Sequence, residues 1–75
     1  MTDNGTATQV SVQVNGETRR VEAGLTVRTF LESLDLHPEL VVVEHNREIL
    51  DRGRYEDVRV RDGDVLELVH FVGGG

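Results

Sequence analysis

The sequence predicts a small α+β domain in which a sheet of four or five strands packs on one helix, in the order β-β-α-β-(short β)-β. Three stretches support this fold class. Apolar and polar residues alternate over residues 9–14, apolar residues recur at helical spacing over residues 27–34, and alternation returns over residues 65–72. Because 75 residues provide one hydrophobic core at most, these elements belong to a single domain.

The first two strands are predicted to form a hairpin. Residues 9–14 place three valines on one side, which is the pattern of a strand with one buried face. Asn15-Gly16 follows directly and favours a type I′ turn, because both central residues of that turn take positive φ. Residues 17–22 form the returning strand. Since Val21 is its one apolar residue, we expect this strand at an edge of the sheet.

A short helix is predicted next, at about residues 27–35. Its apolar residues recur at spacings of three and four and therefore share one face. They are Val27, Phe30, Leu31 and Leu34. Thr26 is a natural N-cap, and Pro38 prevents continuation of the helix. A helix this short is marginal alone, so its apolar face must cover the sheet.

Two strands are predicted after the helix. The first occupies residues 40–45 and turns Val41 and Val43 toward the core. Asn46-Arg47 then reverses the chain into a brief strand at residues 48–50.

The rest of the chain leads to the last strand. Residues 51–61 form a surface connection anchored by Tyr55 and Val58. Asp62-Gly63-Asp64 is a strong turn signal, and the final strand is predicted at residues 65–72.

The last strand has two different faces. Leu66 and Leu68 share one face, while Val69 and Phe71 share the other. If the leucines meet the helix, Val69 and Phe71 lie on the open face of the sheet, where apolar groups usually mark a docking surface. We expect these two residues and Val72 to contact a partner. The alternative is that a loop of the same chain covers them.

The charge of the chain argues against nucleic-acid binding. Fourteen acidic residues oppose eight arginines, for a net charge of −6, and the arginines are scattered among carboxylates. Such a pattern provides no basic stripe that could follow a phosphate backbone. The negative charge instead favours protein partners that present a basic surface.

No segment predicts a membrane span or a secretory signal. The longest aliphatic run, residues 40–43, is far shorter than the roughly 20 residues that a spanning helix needs. Residues 1–8 are polar and contain no basic segment followed by an apolar one. We therefore expect residues 1–8 to be a disordered lead and the protein to be cytoplasmic.

Side chains that could perform catalysis or bind metal are sparse. The chain has no cysteine, and His37, His45 and His70 lack the spacing of metal ligands, so each is interpreted as a surface or strand residue. Asp62 and Asp64 flank a turn glycine and are interpreted as turn residues rather than as an acid/base pair or metal site. The sequence therefore predicts neither a catalytic residue nor a metal site.

The second half of the chain resembles a known family. Residues 41–50 (VVVEHNREIL) and 60–75 (VRDGDVLELVHFVGGG) are similar to the ThiS family of sulfur carriers, which serve thiamine thiazole biosynthesis. The hairpin at 14–16 and the helix start at 25–27 are similar too, so the resemblance runs from about Val10 to the end. A terminal di-glycine alone is weak support. Its position directly after a strand introduced by Asp-Gly-Asp is a much more specific signal.

The resemblance implies a ubiquitin-like β-grasp fold with a mixed sheet, in which the last strand lies centrally and parallel to the first. The β-grasp domain would occupy residues 9–72, and residues 73–75 would form a flexible glycine tail. Gly73 and Gly74 would let this tail thread a narrow channel, because they have no β-carbon to obstruct it.

The resemblance also implies a reaction cycle at the carboxylate of Gly75. A ThiF-type enzyme adenylates it with ATP, sulfur from a cysteine desulfurase converts it to a thiocarboxylate, and a ThiG-type thiazole synthase receives the sulfur. Without cysteine, the chain cannot carry sulfur on a side-chain thiol. The carrier would bind no cofactor itself, would not be an enzyme and would be a monomer on its own.

Two alternatives remain open from the sequence. One is a sibling carrier, such as the small subunit of molybdopterin synthase or a carrier for tRNA thiolation. The molybdopterin subunit tends to have an aromatic residue and a proline before its terminal glycines, whereas His70-Phe71-Val72 precedes them here. The other alternative is a ubiquitin-like modifier that forms amide bonds, or a pure interaction module that forms none. Because the chain has no lysine, such a modifier could not attach to its own side chains.

Overall fold

The computed structural model describes residues 8–71. The strands and the helix are β1 (Gln9–Val14), β2 (Glu17–Glu22), α1 (Val27–Ser33), β3 (Val41–His45), β4 (Glu48–Leu50) and β5 (Val65–His70). Short turns of 3₁₀ helix lie at Pro38–Leu40 and Arg52–Arg54. The predicted polar lead before residue 8 and the tail positions Val72, Gly73, Gly74 and Gly75 lie outside the described residues.

The five strands form one mixed sheet in the order β2-β1-β5-β3-β4. β5 is central, pairing parallel with β1 and antiparallel with β3, and the two hairpins supply the edges. Parallel neighbours need a long crossover connection, and α1 lies within the connection that joins β1 to β5. This arrangement confirms the predicted β-grasp fold.

Local backbone geometry confirms the first hairpin. Asn15 and Gly16 take φ values of 51° and 84°, as a type I′ turn requires. β2 lies at the sheet edge, as predicted, and Val21 is its half-buried residue.

The N-terminus of the helix has a capping box, and its C-terminus is set by a left-handed residue. The Thr26 hydroxyl accepts the Thr29 N–H at 3.1 Å, and the Thr29 hydroxyl accepts the Thr26 N–H at 2.8 Å. α1 ends at Ser33, two residues before the predicted end. The reason is that Asp35 takes φ 62°, a left-handed conformation that terminates the helix.

The core lies between α1 and the inner face of the sheet. Phe30 and Leu31 of the helix are fully buried, as are Val41 and Val43 of β3. The other buried apolar residues are Val12, Val14, Val27, Tyr55, Val60 and Leu66. The inward orientation predicted for both β3 valines is therefore confirmed.

The connection between β4 and β5 is anchored mainly by Tyr55. Its ring is 3% exposed, and its hydroxyl donates a hydrogen bond to the Val41 carbonyl at 2.7 Å. Val58 is half-buried against the same core. Both predicted anchors thus support the connection.

Two predicted strand ends differ from the structure. β3 begins at Val41 rather than at residue 40, because the Leu40 N–H closes a 3₁₀ turn on the His37 carbonyl at 2.8 Å. β5 ends at His70, although the Phe71 N–H still donates to the Leu40 carbonyl at 2.8 Å. The pairing between β3 and β5 therefore guides the chain up to Phe71.

Candidate functional site: the last strand and the open face of the sheet

A buried carboxylate fixes the start of β5. Asp64 is 8% exposed, and its carboxylate accepts the Arg61 N–H at 2.9 Å and the Asn46 side-chain amide at 3.1 Å. His45 Nε2 lies 2.9 Å from the same carboxylate. Since an ionised carboxylate only accepts hydrogen bonds, His45 donates from Nε2. The three donors join the turn before β5 to the turn between β3 and β4.

The environment of Asp64 favours its charged form. Burial by itself raises the pKa of this carboxyl, but the hydrogen bonds from Arg61, His45 and Asn46, together with attraction to His45, outweigh burial. The net result is that the pKa of Asp64 lies below its ordinary value. The carboxylate therefore stabilises the folded state wherever it is ionised.

The turn before β5 is also bound to β1. The Asp62 carboxylate accepts the Ser11 N–H at 2.8 Å, and the Gly63 N–H donates to the Ser11 carbonyl at 2.8 Å. The Gln13 N–H donates to the Asp64 carbonyl at 2.9 Å. The sequence predicted a turn here, but it did not indicate that this turn extends the parallel pairing of β1 with β5.

Two asparagines hold β5 from opposite edges, and we refer to Asn15 and Asn46 as the asparagine clamps. Asn46 brackets Val65: its N–H donates to the Val65 carbonyl at 2.8 Å, and its side-chain carbonyl accepts the Val65 N–H at 2.9 Å. Asn15 donates its N–H to the Leu66 carbonyl, and its side-chain carbonyl accepts the Leu68 N–H at 2.7 Å. Each amide side chain thus replaces a missing strand neighbour of β5.

The clamps explain why asparagine occupies both turns. Asn15 and Asn46 both have φ 51°, a left-handed conformation that asparagine tolerates better than most residues. The same side chain then provides a donor and an acceptor that imitate a peptide group. One residue type therefore makes the hairpin turn and sets the position of β5.

The face of the sheet opposite α1 carries exposed apolar residues. Strand alternation places Val42 and Val69 there, and they are direct cross-strand partners. Ile49 of β4 lies opposite Glu44 and joins the same face. Ile49, Val69 and Phe71 are 69%, 56% and 53% exposed. We call Val42, Glu44, Ile49, Glu67 and Val69 the open face, with Phe71 at its end nearest the tail.

The open face matches the predicted exposure of Val69 and Phe71. No segment within residues 8–71 covers either side chain. Sequence reasoning missed Ile49, because a three-residue strand has too few residues to define its faces. The docking role of Val69, Phe71 and Val72 stays a prediction, and Val72 lies outside the described residues.

The remaining candidate side chains do not converge. In the described part of the chain, no three histidine or acidic residues come together in a way that could hold a metal ion. His45 contacts Asp64, an interaction that no local pattern indicated, because 19 positions separate the two residues. Among residues 8–71 no helix has the length and apolar character needed to cross a bilayer.

Comparison with known proteins matches the chain to one family. The model of the ThiS family matches residues 12–75. This chain belongs to the ThiS family. The sulfur carrier protein ThiS of Bacillus subtilis is 48% identical over 50 residues, covering 67% of this chain and 76% of that protein. The crystal structure of the thiamine biosynthesis protein ThiS of Geobacter metallireducens aligns with a TM-score of 0.74 at 36% identity, covering 88% of this chain and 100% of that one.

A longer relative places a ThiS-like sequence within a larger polypeptide. The thiazole synthase of Magnetococcus marinus is 41% identical over 66 residues, which are 88% of this chain. The ThiS-family chain spans 20% of the length of that relative. The similarity to this synthase therefore concerns a small part of it.

Replacing Asp64 by asparagine should remove an acid-sensitive source of stability. The NH₂ group of the new side chain would face N–H groups that now donate to the carboxylate, and two donors cannot form a hydrogen bond. At pH 7 the free energy of unfolding should therefore fall by about 2 kcal/mol. In the wild type, the contribution of Asp64 is fully present above the unfolded pKa of about 3.9 and is lost as the pH falls through the lower folded value. Urea unfolding between pH 7 and pH 2 measures both effects.

The matched control is Asp57→Asn, which removes a carboxylate whose side chain is 68% exposed. This control should keep the acid dependence of the wild type, whereas Asp64→Asn should flatten it below about pH 4. Equal slopes for Asp64→Asn and the wild type would contradict the assignment of Asp64 as the stabilising carboxylate.

Removing one asparagine clamp should expose one particular backbone amide. Asn15→Gly keeps the turn conformation but deletes the acceptor of the Leu68 N–H, so hydrogen exchange at Leu68 should accelerate roughly tenfold, the equivalent of one hydrogen bond. Asn46→Gly should do the same at Val65. Amide exchange measured by NMR distinguishes the two, and each variant is the control for the other. Uniform acceleration along β5 in both variants would show a general loss of stability instead.

Proposed function

We propose that this ThiS-family chain is the sulfur carrier of thiamine thiazole biosynthesis and that sulfur travels on the C-terminal carboxylate of Gly75. The observation that carries the proposal is that the family match extends through residue 75, directly beyond a central strand that is clamped on both edges. A clamped central strand that is followed, after Phe71 and Val72, by three glycines suits a group that must reach into a partner's site.

The carboxylate of Gly75 must be activated before sulfur can be attached to it. A carboxylate is a poor acyl donor, so a ThiF-type enzyme would use ATP to convert Gly75 to an acyl adenylate. Sulfur from the persulfide of a cysteine desulfurase would displace AMP, and a thiol would reduce the sulfur–sulfur bond to leave a thiocarboxylate. Like a thiolate, this group is a soft nucleophile. The carrier is then a co-substrate rather than an enzyme.

The composition of the chain is compatible with an activated C-terminus. With neither cysteine nor lysine, the protein has no thiol or amine side chain that could capture the adenylate of Gly75. Side reactions within the carrier are thereby limited before sulfur arrives. Because the proposed activating enzyme uses ATP, we also propose that the carrier acts in the cytoplasm.

Thiazole synthase is proposed as the acceptor of the sulfur. The protein named thiazole synthase in Magnetococcus marinus contains a stretch similar to 88% of this chain. Joining a carrier to its acceptor in one polypeptide raises their effective concentration, so such a fusion is expected of proteins that act together.

Partner docking is proposed at the open face. Val69 and Phe71 lie on the same side as Ile49, and together they form an apolar surface beside the start of the tail. Val72 continues toward Gly73 and Gly74, which would thread the channel of the partner. Four extended residues after Phe71 span about 14 Å, so a partner docked at this face would bind the carboxylate of Gly75 within that distance of Phe71.

The decisive experiment is to co-express the chain with a ThiF-type enzyme and a cysteine desulfurase and to measure the mass of the intact carrier by mass spectrometry. A mass gain equal to the exchange of one oxygen for sulfur is expected. Deletion of Gly75 should abolish this gain, and rescue of a thiamine-requiring strain should follow the same pattern. An unchanged mass with a competent activating enzyme would contradict the proposal, and a carrier linked to lysines of other proteins would indicate a modifier.

Charge introduced at the open face should weaken docking without unfolding the domain. Val69→Glu places a carboxylate on an exposed apolar position, so the KM for the carrier in ATP–pyrophosphate exchange should rise at least about tenfold, as at an interface hot spot. Thr18→Glu, on the exposed edge strand β2, is the control and should change the KM little. Circular dichroism should show both variants folded. An unchanged KM for folded Val69→Glu would exclude this face as the docking site.

A further inference from the structure

Two glutamates are direct cross-strand neighbours on the open face. Glu44 of β3 and Glu67 of β5 are cross-strand partners, and residues in this relation have β-carbons about 5 Å apart. Glu44 is half-buried and Glu67 is exposed. Like charges directly opposite one another on a sheet destabilise it. The free domain therefore holds two like charges side by side on the face proposed for docking.

No cation of the described chain relieves this contact. Within residues 8–71 the ion pairs join Arg28 to Glu32 and Glu56, His45 to Asp64 and Arg54 to Asp57. None of these pairs includes Glu44 or Glu67. The two carboxylates are therefore held together by strand pairing alone.

Apolar residues flank Glu44 and Glu67 on the same face. Val42 and Val69 form the next cross-strand pair toward the tail, and Ile49 lies opposite Glu44 on β4. A partner that covers Val69 and Ile49 therefore lies over Glu44 and against its neighbour Glu67. Burying an unpaired charge is far more costly than the gain from the apolar contact, so the partner has to supply an opposite charge.

We infer that Glu44 and Glu67 form the seat for one basic side chain of the adenylating enzyme, set within an otherwise apolar contact. A guanidinium is the best fit, because its planar fork can donate to two carboxylates at once. The net charge of −6 favours approach of the same partner. This inference rests on the proposed function and specifies the chemistry by which its first partner recognises the carrier.

The test uses Glu67→Gln and Glu44→Gln in the full chain, with Glu17→Gln and Glu22→Gln of β2 as controls. The controls remove the same charge, but their cross-strand partners are Val14 and Gln9. Relief of the like-charge contact should raise the melting temperature of the two seat variants by about 2–5 °C. The controls should show little change.

The binding readout should move in the opposite direction. In ATP–pyrophosphate exchange, each seat variant should raise the KM for the carrier about tenfold or more, while kcat at saturation stays near that of the wild type because the tail is untouched. The increase in KM should persist in 0.5 M salt, where the screening length is under about 8 Å, because the ion pair between the glutamates and the basic side chain is desolvated in the complex. The controls should change the KM less than about twofold.

The outcomes separate the inference from the proposed function. A wild type that supports no exchange with a competent adenylating enzyme contradicts the proposed function. A wild type that is active, with seat variants at the wild-type KM, overturns the inference and leaves the function intact. Equal effects of seat and control variants, or effects that vanish in high salt, also overturn it, because they show general charge steering rather than a seat.

Discussion

The structure depends on the placement of β5, the central strand of the sheet and the last element of the described chain. A central strand is normally positioned by full-length neighbours on both sides. β1 and β3 pair with different parts of β5, and only β3 follows it to its end. The missing pairing is supplied by side chains: Asn15 and Asn46 hold its edges, and the buried carboxylate of Asp64 holds its start.

This placement explains how a small domain fixes the position of its last strand. The register of β5 is set by bonds at Val65, Leu66 and Leu68, all before the last described residue. Small domains bury a limited fraction of their surface, so stability comes from few interactions. Charge-assisted hydrogen bonds to a buried group are among the strongest of these, which makes Asp64 a sensitive position at the start of β5.

Patterns within one element predicted the elements well. Asn15-Gly16 specified its turn through backbone conformation alone, and alternation oriented Val41 and Val43 correctly. Contacts between distant segments could not be predicted this way. The parallel pairing of β1 with β5 came from family resemblance, and the bond from His45 to Asp64 depends on which turns meet after folding. The end of the helix at Ser33 could not be predicted, because Asp35 takes the left-handed conformation that glycine usually takes after a helix.

Stability and recognition are divided between the two ends of β5. At its start, unlike polar groups are paired and buried, so this end is rigid in the free protein. Farther along, Glu44 and Glu67 are opposed and Val69 is exposed, which are features that lower the stability of an isolated domain. The bonds around Asp64 and the asparagines offset that loss without using the open face. The open face thereby keeps its exposed apolar and acidic groups for the proposed partner, while β5 stays in register.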